Sequence, residues 1–236
     1  MKLKSIQAHG GLILAIIIMV VALASILVFK GDHYLAFSFA CLIASMLPFY
    51  WDFEVNQLRA REIVFLAVLA TVAAVARVPF APLPSVQPTS FIIIVSALAL
   101  GKDSGFIIGS TAAIVSNLFL GQGPWTPWQM FCWGMMGVTA GIIGKYKWSQ
   151  NVKVLCVFGF AWGFIFGWIM DLWYALAYVQ PLNMKTFIAA FVASAYFDLA
   201  HALSNVFFIA LFYKSWYRII MRFKQKYGLL DEAEIK

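Results

Sequence analysis

The stretch Ser116-Asn-Leu-Phe-Leu-Gly-Gln-Gly-Pro-Trp-Thr-Pro-Trp-Gln-Met130 separates two apolar segments of the chain. Its two glycines and two prolines prevent a helix from running through, so it is predicted to be a loop at which the chain reverses. Tryptophan faces beside amide groups are the mixture that small-molecule sites use. An aromatic belt at a membrane interface, followed by an ordinary turn, is the alternative explanation. The candidate ligand contacts in this stretch are Asn117, Gln122, Trp125, Trp128 and Gln129.

The composition indicates an integral membrane protein. Of the 236 residues, 63% are hydrophobic and only 11% are charged, whereas a soluble domain is nearer a quarter charged. The net charge of +7 does not require a nucleic acid partner, because positive cytoplasmic loops give the same balance. Cys41, Cys132 and Cys156 lie in apolar stretches without metal-ligand spacing, so no metal site is expected.

Eight membrane spans are predicted, which makes the chain an all-α membrane protein. They cover residues 11–29, 34–51, 63–78, 89–100, 106–120, 128–144, 154–179 and 187–213. With both termini in the cytoplasm, all but three of the 17 Lys and Arg fall on the inner side of a cell membrane; Lys30, Arg77 and Lys185 are the exceptions. The proline-rich connector 79–88, the stretch 116–130 and the loop 180–186 then lie on the outer face.

The eighth span carries Ser194, Asp198, His201 and Asn205, and their spacing of four, three and four residues puts them on one helical face. An ionisable residue inside a span is costly, so it is by default a functional candidate. Asp198 and His201 are close enough to hydrogen-bond as neighbours on one turn. One interpretation is a ligand contact or proton relay. The other is a buried polar pair that locks this helix to Asp171 or to another span.

Three further polar residues are predicted near the outer boundary. Asp171, late in the seventh span, is either a contact at the mouth of a pocket or the partner of Arg77 or Lys185. Arg77, at the end of the third span, is expected to snorkel to the interface. Gln87 is an uncharged donor and acceptor that suits a ligand rich in amides or carbonyls.

The third span contains a small-x-x-x-small pair, Ala70 and Ala74, which permits close helix approach in lipid. The pair predicts either packing within the protein or docking of another membrane subunit. The chain has no G-x-x-x-x-G-K-[ST], H-E-x-x-H or G-x-S-x-G motif, so neither ATP hydrolysis nor an enzyme is indicated.

Segments 70–80, 86–89 and 116–130, followed by Trp133-Gly134 and Gly137, resemble the substrate-binding S component of an energy-coupling factor (ECF) vitamin transporter. The resemblance implies a six-helix core, here residues 59–213. A two-helix membrane extension, 1–58, would precede it and a cytoplasmic tail, 214–236, would follow.

The resemblance also implies a function. Such S components bind a vitamin from outside and pair with a membrane-embedded coupling protein and two cytoplasmic ATPases, which use the ATP. The whole S component is thought to topple in the membrane. Ala70 and Ala74 would contact the coupling protein. The ligand pocket would be built from 86–89, 117–129 and the face of Asp198, and no resident cofactor is expected.

The Trp and Gln signature is similar to that of cobalamin-type S components, so cobalamin or a related corrinoid is the expected substrate. A queuosine precursor, riboflavin or a pyridoxine-like vitamin would accept the same contacts. Two other functions stay open: a self-sufficient proton-coupled carrier that uses Asp171, Asp198 and His201 as relay groups, and an intramembrane enzyme. The enzyme is supported only by Asp198 and His201, which lack a nucleophile or metal set nearby in sequence.

Overall fold

The computed structural model describes residues 17, 34–55, 58–181 and 183–230, and every regular element within them is helical. The chain divides into two compact units, residues 1–56 and 57–236. In the first unit, helix α1 covers Tyr34–Val55 and contains Pro48. The predicted first span, 11–29, lies outside the described residues apart from residue 17. The predicted division into extension, core and tail stays a prediction.

Six helices form the described part of the second unit. They are α2 (Ala60–Val75), α3 (Thr89–Leu100), α4 (Lys102–Leu120), α5 (Thr126–Ile143), α6 (Val152–Tyr178) and α7 (Met184–Tyr227). Short 3-10 turns cover Val78–Phe80 and Lys147–Gln150. Helix α5 begins two residues before the predicted start, because Pro127 in its first turn needs no amide partner there.

Helix α3 is the centre of this unit, because every one of its residues is buried. Its 12 residues extend only about 18 Å, less than the ~30 Å hydrocarbon core. Gly101 follows at a φ of 95°, which lets α4 begin at once. A Cβ at Gly105 or Gly109 would overlap the backbone of α5, so these glycines let α4 and α5 touch.

Helix α7 is the longest element, with 44 residues, and at 1.5 Å per residue it is about 66 Å long. It therefore extends well beyond one bilayer core, and the predicted tail 214–236 begins inside this helix rather than after it. Its far end is tied back to α2 and α3. Lys224 Nζ donates to the Ala99 carbonyl (3.2 Å), and the Leu230 amide donates to Glu62 Oε1 (2.8 Å).

Four helical segments in the described residues are long and apolar enough to cross a membrane. They are Ala60–Phe80, Lys102–Leu120, Val152–Tyr178 and Met184–Tyr227, and the apolar segments Phe39–Trp51 and Thr89–Leu100 are shorter. The all-helical membrane class is confirmed at this level. The count of eight spans and the orientation of the termini stay predictions.

Candidate functional site

An open cavity of about 550 Å³ lies at the end of the second unit where α2 meets the proline-rich connector. Its volume is in the range of small-molecule sites. Four helices, α4 to α7, and the segment 77–87 that follows α2 contribute its walls. The lining residues are Arg77, Phe80, Ala81, Leu83, Pro84, Ser85, Val86, Gln87, Leu120, Gln129, Phe166, Gly167, Met170, Asp171, Ser194, Phe197, Asp198 and His201.

Arg77 turns into the protein at this cavity. Its Nε donates to Gln87 Oε1 (2.8 Å), and its Nη1 donates to Ser116 Oγ (3.0 Å) and Asn117 Oδ1 (2.8 Å). The guanidinium carbon lies 5.1 Å from the centre of the Trp133 ring, within cation–π range. The predicted snorkelling of Arg77 is therefore wrong, because three acceptors and an aromatic face within reach satisfy the group on the inside.

Asn117, which accepts from Arg77, belongs to a hydrogen-bonded network of amide side chains. Asn117 is 1% exposed, and its Nδ2 donates to Gln129 Oε1 (2.8 Å) and Thr126 Oγ1 (3.0 Å). Thr126 Oγ1 donates in turn to Gln122 Oε1 (2.9 Å), and Gln122 Nε2 donates to the Ile114 carbonyl (2.9 Å). The network fixes the polar loop to the end of α4. Only Gln129 of these residues reaches the cavity.

Two carboxylates converge on one hydroxyl at the opposite wall. Ser194 Oγ donates to Asp171 Oδ2 and lies 3.3 Å from Asp198 Oδ2. Asp198 is only 5% exposed and sits against Gly167, where a Cβ would overlap its carboxylate. Asp171 therefore pairs with Ser194 in the described residues, and not with Arg77 or Lys185.

Within the described residues, His201 hydrogen-bonds to Ser90 and not to Asp198, which the spacing had offered as its partner. Its Nε2 lies 2.8 Å from Ser90 Oγ, which also accepts from Trp133 Nε1 (3.1 Å). Its ring meets Phe166 edge-on, with 5.0 Å between the centroids. Ser90 on the buried helix α3 therefore positions the imidazole of His201.

Asn205, one turn further along α7, does not line the cavity. Its Nδ2 donates to the Gly159 carbonyl of α6 (2.9 Å), and the side chain is fully buried. Asn205 therefore locks α7 to α6, which is the second of the two interpretations given for the polar face of the eighth span. Ser194, Asp198 and His201 face the cavity.

The two loop tryptophans also lie away from the cavity lining. Trp128 is 1% exposed inside the protein. Trp125 is half-buried and meets Trp173 edge-on at 6.0 Å. The predicted ligand contacts that line the cavity are Gln87, Gln129, Asp171, Asp198 and His201, while Asn117 stands directly behind it.

Arg77 and the aromatic wall of Phe80, Phe166 and Phe197 were not predicted to contact a ligand, and Ser194 was predicted only as part of the polar face of the eighth span. Arg77 could have been predicted in the site because it is a cation at the end of a span and amide side chains occur on the neighbouring loops. Ser194 shares a helical face with Asp198, and that spacing was its signal.

Ala70 and Ala74 are buried within the protein, at 2% and 0% exposure. They face the protein's own helices, so they do not offer the surface to a partner that the resemblance implied. The small residues exposed on α2 are Ala60 in its first turn and Ala67 and Thr71 in its middle.

The family described as "ECF transporter, substrate-specific component" matches residues 61–223. No curated protein and no solved structure matches this chain. The matched region contains all but the first residue of α2, the whole of α3 to α6, most of α7 and every residue that lines the cavity. The chain therefore belongs to the substrate-specific components of ECF transporters.

Proposed function

We propose that this protein captures a vitamin from outside the cell in the cavity between α4, α5, α6, α7 and the segment that follows α2, as the substrate-binding subunit of an ECF importer. The observation that carries the proposal is the cavity itself. Its volume of about 550 Å³ suits a vitamin, and polar side chains from separate helices converge in it. Its residues lie inside the region that matches the family.

The energy for import comes from other subunits. A membrane-embedded coupling protein and two cytoplasmic ATPases would supply it, since the chain carries no phosphate-binding loop. The protein would sit in the cell membrane with both termini in the cytoplasm. Because Ala70 and Ala74 are buried, the coupling protein would meet the exposed face of α2 at Ala67 and Thr71.

Two kinds of vitamin are candidates for the substrate. The loop motif favours cobalamin or a related corrinoid, whose amide fringe would meet Gln87 and Gln129. The cavity volume favours a smaller vitamin, such as a queuosine precursor, riboflavin or a pyridoxine-like compound. A corrinoid is much larger than a drug-sized ligand, so a cavity of about 550 Å³ would enclose only part of it.

Native mass spectrometry of the detergent-purified protein tests the proposal. The expected result is a bound small molecule, or binding of an added vitamin from one of the classes named above. A Gly167→Leu variant places a side chain in the cavity and should lose this ligand. Ala161→Leu introduces the same side chain at an exposed position of the same helix and should keep the ligand. Retention of the ligand by both variants, or no binding of any of these vitamins, would contradict the proposed site.

A further inference from the structure

Acidic side chains outnumber basic ones in the cavity lining. Asp171 and Asp198 contribute two carboxylates and Arg77 one guanidinium, which leaves an excess of one negative charge when both carboxylates are ionised and His201 is neutral. Arg77 is bound by neutral oxygens of Gln87, Ser116 and Asn117, and neither carboxylate forms an ion pair within the described residues. An unpaired charge in a membrane-embedded cavity is unfavourable.

The carboxylates also lack donors. Ser194 has a single hydroxyl proton, and it donates this proton to Asp171 Oδ2. Asp198 Oδ2 lies at a longer distance from Ser194 Oγ, 3.3 Å. The Oδ1 atoms of both residues have no hydrogen-bond partner in the described part of the chain. Both side chains line the cavity, so the missing donors have to come from whatever occupies it.

Gln129 supplies an independent sign of a ligand. Its side chain is 8% exposed and lines the cavity. Its Oε1 accepts from Asn117, which orients the amide and leaves Nε2 as the free end. Nε2 has no partner among the described residues, so this donor at the cavity wall is available to an acceptor on the ligand.

A metal ion fits this set poorly. No group of three His, Cys, Asp or Glu that could hold a metal occurs in the described residues, and hard cations in proteins take about six to eight oxygen ligands. An organic cation with several N–H donors satisfies two carboxylates with fewer protein groups.

We propose that the cavity selects a vitamin that carries a protonated amine, bound between Asp171 and Asp198, and a carbonyl or ring acceptor that meets Gln129. The inference rests on the proposed function and narrows its substrate. Among the candidate classes named above it favours queuosine precursors that carry an amine, and the amine form of a pyridoxine-like vitamin, over neutral riboflavin. A monocation also cancels the excess charge of the cavity.

Two pairs of probes test the inference, because the members of each pair differ mainly in the amine. They are 7-aminomethyl- against 7-cyano-7-deazaguanine, and pyridoxamine against pyridoxine. Calorimetric titration of the detergent-purified protein should show at least about tenfold tighter binding of the amine in one pair, as expected for charge-assisted hydrogen bonds. Asp198→Asn, which keeps the shape of the side chain, should remove this preference, and Asp171→Asn should reduce it.

Asp103→Asn is the matched control, because Asp103 is an acid that pairs with Lys102 outside the cavity. It should leave the preference unchanged. Equal or weaker binding of the amine in both pairs, or a preference that survives Asp198→Asn and Asp171→Asn, would overturn the inference. Tight binding of cyanocobalamin or riboflavin with no binding of either amine would overturn it and leave the proposed function standing. No binding of any probe would contradict both.

Discussion

Replacing Arg77 tests the cavity most severely, because the structure and simple snorkelling predict different results. Arg77→Met removes three hydrogen bonds and the contact with Trp133. It leaves acceptors on Ser116 and Asn117 without this donor, and both residues are at most 1% exposed.

The cost can be worked from these contacts. An unsatisfied buried acceptor costs about 1–3 kcal/mol, and part of this is recovered because a partly buried charge is removed with it. A net loss of about 2 kcal/mol would lower the melting temperature of a protein of this size by about 4–8 °C. Because Arg77 also holds Gln87 at the cavity wall, we expect ligand affinity to fall by at least about tenfold.

The assay is thermal unfolding of the detergent-purified protein, together with titration of the ligand that copurifies with it. Arg77→Lys keeps the charge but loses the fork that reaches three acceptors, so it should fall between wild type and Arg77→Met. Lys185→Met removes an exposed cation near the same end and should change neither quantity. The inward placement of Arg77 would be refuted if Arg77→Lys kept the wild-type melting temperature and ligand affinity and Arg77→Met lost little of either.

Four further substitutions separate helix packing from ligand and partner contacts. Asn205→Ala should lower the melting temperature by loss of the bond to Gly159, a cost of about 1 kcal/mol, while ligand affinity in a titration stays unchanged. Ala70→Leu should destabilise the fold because the residue is buried, whereas Ala67→Leu should leave the melting temperature unchanged and weaken pull-down of the coupling protein. Trp125→Ala should change ligand affinity by less than about threefold, since Trp125 does not line the cavity; a loss near that of Arg77→Met would place it in the site.

The parts of the site that follow from helical periodicity could be predicted from the sequence. Ser194, Asp198 and His201 share a face because their spacing fixes their directions on one helix. The break between α4 and α5 followed from glycine and proline chemistry, which acts locally. The spacing could not say that Asn205 locks α7 to α6, because that depends on where the neighbouring helix lies.

The direction of an apolar face could not be predicted in the same way. Small and apolar residues occur all around α2, and in a membrane the lipid is as apolar as the protein interior. The sequence therefore could not tell whether Ala70 and Ala74 or Ala67 and Thr71 face outward. The same holds for Trp128, which packs inside although its neighbours suggested a ligand contact.

Arg77 shows a second kind of limit. An arginine at a span end can reach either the interface or the interior with the same backbone, and the choice depends on acceptors far away in sequence. Ser116 and Asn117 lie some 40 positions further along the chain. Only the packing of α4 against α2 brings them within reach.

Uptake into proteoliposomes tests the central claim most directly. Vesicles that hold this chain alone should bind the radiolabelled vitamin and fail to accumulate it, with or without a pH gradient. Vesicles that also hold the coupling protein and the ATPases should accumulate it when ATP is supplied. Accumulation by this chain alone, driven by a pH gradient, would contradict the assignment as a substrate-binding subunit and would favour a proton-coupled carrier.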